Sequence, residues 1–163
     1  MPITFNSTQI NVIKFNGIDI EKVTFNGSVV WQKWKLILSD LFLGSRESPF
    51  GTFPTNETFE YVVPPNIKPK VLRCNAWVQN HTNDSHIDAN VTAEIWGWNG
   101  SSWVQLKKSN VYQVWGNGTG DIDVYYTVPN VDNQYSKYSF RSTGNSFKRR
   151  VTAYLDEYYE RGE

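Results

Sequence analysis

A single cysteine, Cys74, is all the thiol this chain has. That excludes an intramolecular disulfide framework and a cysteine-built zinc site. Net charge is also missing, because 16 Lys and Arg balance 16 Asp and Glu. A chain without excess positive charge is a poor ligand for a polyanion, so nucleic acid is not expected as the main partner. No stretch approaches the ~18 consecutive apolar residues of a membrane span. The opening MPITFNSTQI carries neither a basic nor an apolar leader segment, and no secretory signal is expected from it. The two histidines, His81 and His86, stand in one segment, and no GxSxG, HExxH, P-loop or GxGxxG motif occurs. No catalytic residue and no cofactor are therefore expected. A glycan-cleaving enzyme would rest only on carboxylates far apart in sequence.

What is abundant is aromatic surface. Seven Trp, nine Tyr and nine Phe make up 15% of 163 residues, enough apolar area for a real core in one domain with a small appendage. The appendage announces itself as a repeat. ITFNST from Ile3, IKFNGI from Ile13 and VTFNGS from Val23 stand ten residues apart. Asn-Gly between alternating apolar runs is the strongest short-range hairpin signal, because a type I′ turn needs positive φ at both central residues. A two-residue loop at Asn16-Gly17 pairs Phe15 with Ile18, Lys14 with Asp19 and Ile13 with Ile20. The loop Asn26-Gly27 likewise sets Val23 against Val30, and Asn6-Ser7 is a weaker third turn. Hairpins this short are marginal alone. Their apolar face, made of Phe5, Ile13, Phe15, Ile18, Ile20, Val23, Phe25, Val30 and Trp31, must lie against something. The choice is between its own domain and an attachment surface on sister copies or another protein.

The run from Ile13 to Trp31, IKFNGIDIEKVTFNGSVVW, resembles a repeat near the N-terminus of minor structural and tail-associated proteins of phages and prophages of low-GC Gram-positive bacteria. In that family a β-rich module follows. The resemblance covers about a fifth of the chain. It implies a non-enzymatic virion component, assembled in the bacterial host cytoplasm alongside other virion proteins and present as a homo-oligomer on the particle. Tail-fibre and capsid-decoration roles are both open at this point.

Residues 34–163 read as one all-β domain. The apolar run Leu36–Leu43 suits a strand or a short helix, with strand preferred, and strands are expected at Phe59–Val63, Val71–Val78, Val91–Trp98, Trp103–Lys107, Val111–Trp115, Ile122–Val128, Tyr135–Arg141 and Arg150–Tyr159, with residues 44–58 as a long loop. This pattern reads as a β-sandwich, jelly-roll-like, behind a small hairpin repeat occupying residues 1–33. It has a distant similarity to galactose-binding-like and carbohydrate-module sandwiches.

Within it, VTAEIWGWNGSSWVQLK from Val91 to Lys107 is a hairpin with two unlike faces. Val91, Ala93, Ile95, Gly97, Val104 and Leu106 form the core face. Thr92, Glu94, Trp96, Trp98, Trp103, Gln105 and Lys107 form the other, whether the turn has two residues or four. Flat indoles among polar groups suit a sugar-binding platform or a protein contact, and suit packing under a loop equally well. A carbohydrate-binding module of a cell-surface or lysis protein is the alternative to the virion reading. No metal site is expected: His81, Asp84, His86 and Asp88 read as a polar loop, and Gly116 to Asp123 as a tight turn. Lys148-Arg149-Arg150 reads as a solvated basic cluster.

Overall fold

The computed structural model describes residues 4–5, 8–9, 13–16, 18–20, 22–26, 28–49, 56–80 and 89–161. All regular structure among them is antiparallel β. Three hairpins come first: β1 (Thr4–Phe5) with β2 (Thr8–Gln9), β3 (Ile13–Phe15) with β4 (Ile18–Ile20), and β5 (Lys22–Phe25) with β6 (Ser28–Gln32). The β3–β4 register is the expected one, Ile13 to Ile20, Lys14 to Asp19 and Phe15 to Ile18. Asn16 and Asn26 hold φ of 51° and 49°, the left-handed conformation that asparagine tolerates at the head of such turns. The third hairpin departs from expectation. Phe25 faces Ser28, but a bulge slips the register so that Val23 pairs with Trp31 and not with Val30. Of the attachment residues, the side chains described are Ile20 and Val23, both half-buried, and Phe25, which is 68% exposed.

Two sheets follow. One orders β11 (Trp103–Lys108), β10 (Ala89–Trp98), β14 (Lys137–Asn145) and β8 (Asn56–Val62), with β12 (Tyr112–Val114) also on β10. The other orders β13 (Gly118–Thr127), β9 (Ile67–Asn80), β15 (Lys148–Arg161) and β7 (Trp34–Glu47). They pack face to face as a β-sandwich. The period of two explains how: Leu72, Cys74, Ala76 and Val78 on β9, Val91, Ala93 and Ile95 on β10, and Val151, Ala153 and Leu155 on β15 all point inward and are fully buried. Tyr138 and Phe140 of β14 complete the layer. Burial pushes the Cys74 thiol up to about 12, against the lowering effect of backbone contacts at Glu94 and Arg141.

Of residues 44–58, expected as a loop, Gly44 to Glu47 continue β7 and Asn56 to Thr58 open β8, and a bulge at Ala153 leaves Leu43 as the extra residue of β7. Gly44 sits at φ 154°, and the ring of Phe59 from the opposite sheet occupies the space a Cβ would need, 2.4 Å away. A side chain at this position would push the two sheets apart.

Candidate functional site

The outer face of the five-stranded sheet carries the tryptophans. Its make-up follows from register. Trp98 faces Trp103 and Trp96 faces Gln105 across β10 and β11. On the other side of β10, Thr92 faces Thr143, Glu94 faces Arg141 and Trp96 faces Ser139. β8 adds Thr58 beside Arg141 and Glu60 beside Ser139.

The hairpin turn has four residues. Asn99 Oδ1 accepts from the backbone N of Ser101 at 3.0 Å and of Ser102 at 2.9 Å, and Asn99 N donates to Ser102 O at 3.1 Å. An asparagine that satisfies two loop amides is an Asx turn, which is why Asn-Gly-Ser-Ser closes this hairpin. Farther down, a bulge between Ile95 and Trp96 shifts the register by one. Leu106 becomes the extra residue and packs on the core. Lys107 then stands opposite inward-facing Ile95, not on the tryptophan face where alternation had put it. Lys108 takes its place, opposite Glu94 with Nζ 3.0 Å from Glu94 Oε1. Val104, expected in the core, is 37% exposed.

Glu94 is the buried centre of the face, only 5% exposed. Trp96 Nε1 donates to Glu94 Oε2 at 2.8 Å, and Thr143 Oγ1 donates to Oε1 at 3.3 Å. Burial alone would raise its pKa. Hydrogen bonds from Lys108 and Trp96, the Lys108 charge and a further hydrogen bond from Gln105 outweigh that, and hold the carboxyl below its usual range. It is ionised and saturated with donors, so it serves as a positioning group and not as an acid. Its chief product is a fixed Trp96.

Over that indole lies Arg141, its guanidinium carbon 4.3 Å from the ring centroid and 5.9 Å from that of Trp103. Arg141 Nε donates to Ser139 Oγ at 3.1 Å, which orients the plane. Trp98 and Trp103 meet edge to face, 5.5 Å between centroids at 61°. All three indoles are half-buried; Trp98 and Trp103 meet each other, and Arg141 lies over Trp96 and towards Trp103. The arrangement offers flat apolar surface flanked by the exposed amide of Gln105 and the donors of Arg141. It can stack a planar or C–H-rich face and hydrogen-bond its rim.

Arg141 was not singled out from sequence. Its signal is parity: Tyr138 and Phe140 point inward, so Ser139 and Arg141 point out, but nothing in the sequence says that β14 lies beside β10.

The opposite outer face mixes polar pairs with aromatic rings: Arg73 lies 4.1 Å over Tyr154 and Arg150 5.1 Å over Trp77, and Phe42 and Tyr125 are 58% and 52% exposed. Asn75 Nδ2 donates to Asp121 Oδ2 at 2.8 Å and to Asp123 Oδ1 at 3.0 Å, and Arg73 Nε binds Asp156 while Nη2 binds Asp40, both at 3.1 Å. Gly116 to Asp123 thus runs into strand β13, and among the described residues no group of three metal ligands occurs. His81, Asp84, His86 and Asp88 lie outside the described residues. The basic cluster needs correction. Lys148 and Arg150 face Glu47, with nitrogen-to-oxygen separations of 2.5 and 3.8 Å, but Arg149 is 0% exposed, since parity turns it inward with Val151.

No protein-family model matches the sequence, and no curated protein matches it. Solved structures similar to it in outline include the cowpea mosaic virus top component, naturally occurring empty particles, at 10% identity and TM-score 0.42 over 74% of this chain and 86% of the other. A carbohydrate-binding module in complex with β-1,4-galactotriose matches at 8% identity and TM-score 0.33, over 79% of this chain and 88% of the other. Infectious bursal disease virus, Gx strain, matches at 11% identity and TM-score 0.40 over 99% of this chain and 42% of the other.

Glu94→Gln is expected to cost ~1.5–3 kcal/mol at neutral pH, the range for hydrogen bonds to a charged group. The pH dependence has a definite sign. A carboxyl held low in the fold stabilises it above the unfolded pKa of ~4.3, and that gain is lost as pH falls through the folded value. Thermal melts from pH 7 downward should therefore show a smaller acid loss in Glu94→Gln than in the parent.

Proposed function

We propose that the chain is a non-enzymatic phage virion protein. Its N-terminal hairpins attach it to the particle, and its sandwich points outward with the tryptophan face of the five-stranded sheet as the contact surface for the host. The observation that carries this reading is the platform itself: three half-buried indoles and Arg141, held in place by an ionised, fully donated carboxylate. A sheet face with only packing to do has no need of a buried Glu94 locked by Trp96, Lys108 and Thr143. The serial Phe-Asn-Gly hairpins support the attachment half. Among the described residues their strands pair in twos, too little sheet to be stable by itself. Many copies on one particle give avidity, so each sandwich needs only weak affinity.

A second reading, a carbohydrate-binding module of a cell-surface or lysis protein, is favoured by the same indoles, since pyranose faces stack on them. One experiment separates the two. Particles are induced and purified from the bacterium that carries the gene, and probed with antibody against the sandwich. The full chain is expected to co-purify with particles, whereas a chain lacking residues 1–33 stays soluble in the lysate with its melting transition intact. A full chain absent from purified particles that still binds cell-wall glycan overturns the virion reading in favour of the second.

A further inference from the structure

On the reading of the tryptophan platform as the contact surface, we propose that the group it receives is an anionic sugar, a ring whose carboxylate or phosphate lies in the fork of Arg141. The guanidinium is already aimed. One face lies over Trp96, and Nε donates to Ser139 Oγ at 3.1 Å. The stack fixes its plane, and the Nε bond fixes its rotation within that plane. Nη1 and Nη2 then have a set direction and, among the described residues, no hydrogen-bond partner.

The fork is not open for want of carboxylates. Glu94 stands opposite Arg141 in the register of β10 and β14, but its oxygens are taken by Trp96, Lys108 and Thr143. Glu60 stands on β8 opposite Ser139, exposed, and among the described residues no ion pair joins it to Arg141. A pre-oriented fork with both terminal donors open is the shape that a carboxylate or phosphate fills with two parallel bonds. Charge agrees with this. Lys108 neutralises Glu94, and alternation along β14 turns exposed Lys137 to the same side as Ser139 and Arg141, so two cations on that strand face the single carboxylate of Glu60.

Whatever bears the anion must also cover the indoles. The Arg141 guanidinium carbon is 5.9 Å from the Trp103 centroid, and Trp103 meets Trp98 edge to face. A ring seated on Trp103 therefore brings a substituent to the guanidinium. A neutral sugar leaves the fork to water. A bare anion leaves the indoles uncovered. An acidic peptide supplies the anion, but its flexible side chains give the indoles no rigid flat partner. An anionic pyranose meets all three demands: a C–H-rich face for the indole, an anion for the fork and hydroxyls for the exposed amide of Gln105.

NMR of the nitrogen-labelled full chain tests this, by following Trp96 Nε1–H, Trp103 Nε1–H and Arg141 Nε–H. The probes, at millimolar concentration, are glucuronate, phosphorylated glucose, glucose, inorganic phosphate and a glutamate peptide. Glucuronate or phosphorylated glucose is expected to move all three signals and to bind at least about tenfold more tightly than glucose, the scale of a hydrogen bond to a charged group. Which of the two binds separates carboxylate from phosphate. Arg141→Lys keeps the charge without the fork and should weaken binding about tenfold or more. Arg46→Gln, which removes a charge from exposed β7 in the other sheet, should leave it within about twofold. The proposal is overturned by silence from both anionic sugars, by glucose or inorganic phosphate binding as tightly as they do, or by full affinity in Arg141→Lys. Tighter binding of the glutamate peptide overturns it in favour of a protein partner. In any of these cases, host-cell labelling that is lost with alanine at Trp96, Trp98 and Trp103 leaves the contact reading standing, whereas labelling that survives those changes removes that reading itself.

Discussion

Arg149→Ala is expected to destabilise the sandwich by ~3–5 kcal/mol, the cost of dismantling a buried charged group and leaving a cavity. The side chain is 0% exposed. Its Nη1 donates to Ser142 O at 3.1 Å, and Nε and Nη2 donate to Ser146 Oγ at 3.3 and 3.2 Å. The same residue's backbone N donates to Ser48 Oγ at 2.9 Å, and Ser48 N donates to its carbonyl at 2.9 Å. Arg149 therefore ties the end of β7 to the β14–β15 turn. Burial brings its pKa down to about 10, with the charge of Glu57 opposing, so it remains a cation at neutral pH. A loss of that size is a large part of the ~5–15 kcal/mol that holds a domain together. Arg149→Met keeps the volume and removes the charge, and should cost far less than alanine. Urea midpoints of the two variants decide the matter. A cost under ~1 kcal/mol for alanine, the level of an ordinary surface change, would show that the guanidinium is solvated.

The second large effect concerns contact rather than folding. Replacing Trp96, Trp98 and Trp103 together by alanine should reduce binding to the host surface at least about a hundredfold, since buried indoles at a contact each carry ~2 kcal/mol or more. Stability should fall much less per residue, by ~1 kcal/mol each, because the three rings are half-buried and lie outside the core formed by Ile95, Phe140 and their neighbours, Trp98 against Trp103 and Trp96 under Arg141. Arg141→Ala should act in the same direction with a smaller effect, by freeing one face of Trp96 and its stacking partner at once.

Much of this architecture is legible in residue order. Residue pattern and turn signals place the nine sandwich strands in outline, Leu36–Leu43 as an apolar run and not an alternating one, and Asn-Gly places the second and third hairpin turns, because these signals are local and tied to backbone geometry. What escaped depends on single extra residues and on distant neighbours. Leu106 is a bulge, and one bulge exchanges Lys107 for Lys108 beside Glu94. The slip that sets Val23 against Trp31 has the same origin. Arg141 joins the platform only through the pairing of β14 with β10, 47 residues away at Glu94. Arg149 shows the opposite failing. Its alternation with Val151, Ala153 and Leu155 was open to view, but the charges of Lys148 and Arg150 on either side made the trio look solvated.

The contact surface is tested most directly by flow cytometry of fluorescently labelled full chain on cells of the bacterial host. The parent chain is expected to decorate the envelope. The chain with alanine at Trp96, Trp98 and Trp103, checked to melt cooperatively, is expected to leave it dark. Equal labelling by both would mean that the indoles are only packing, and would contradict the proposal that the outer sheet face meets the host.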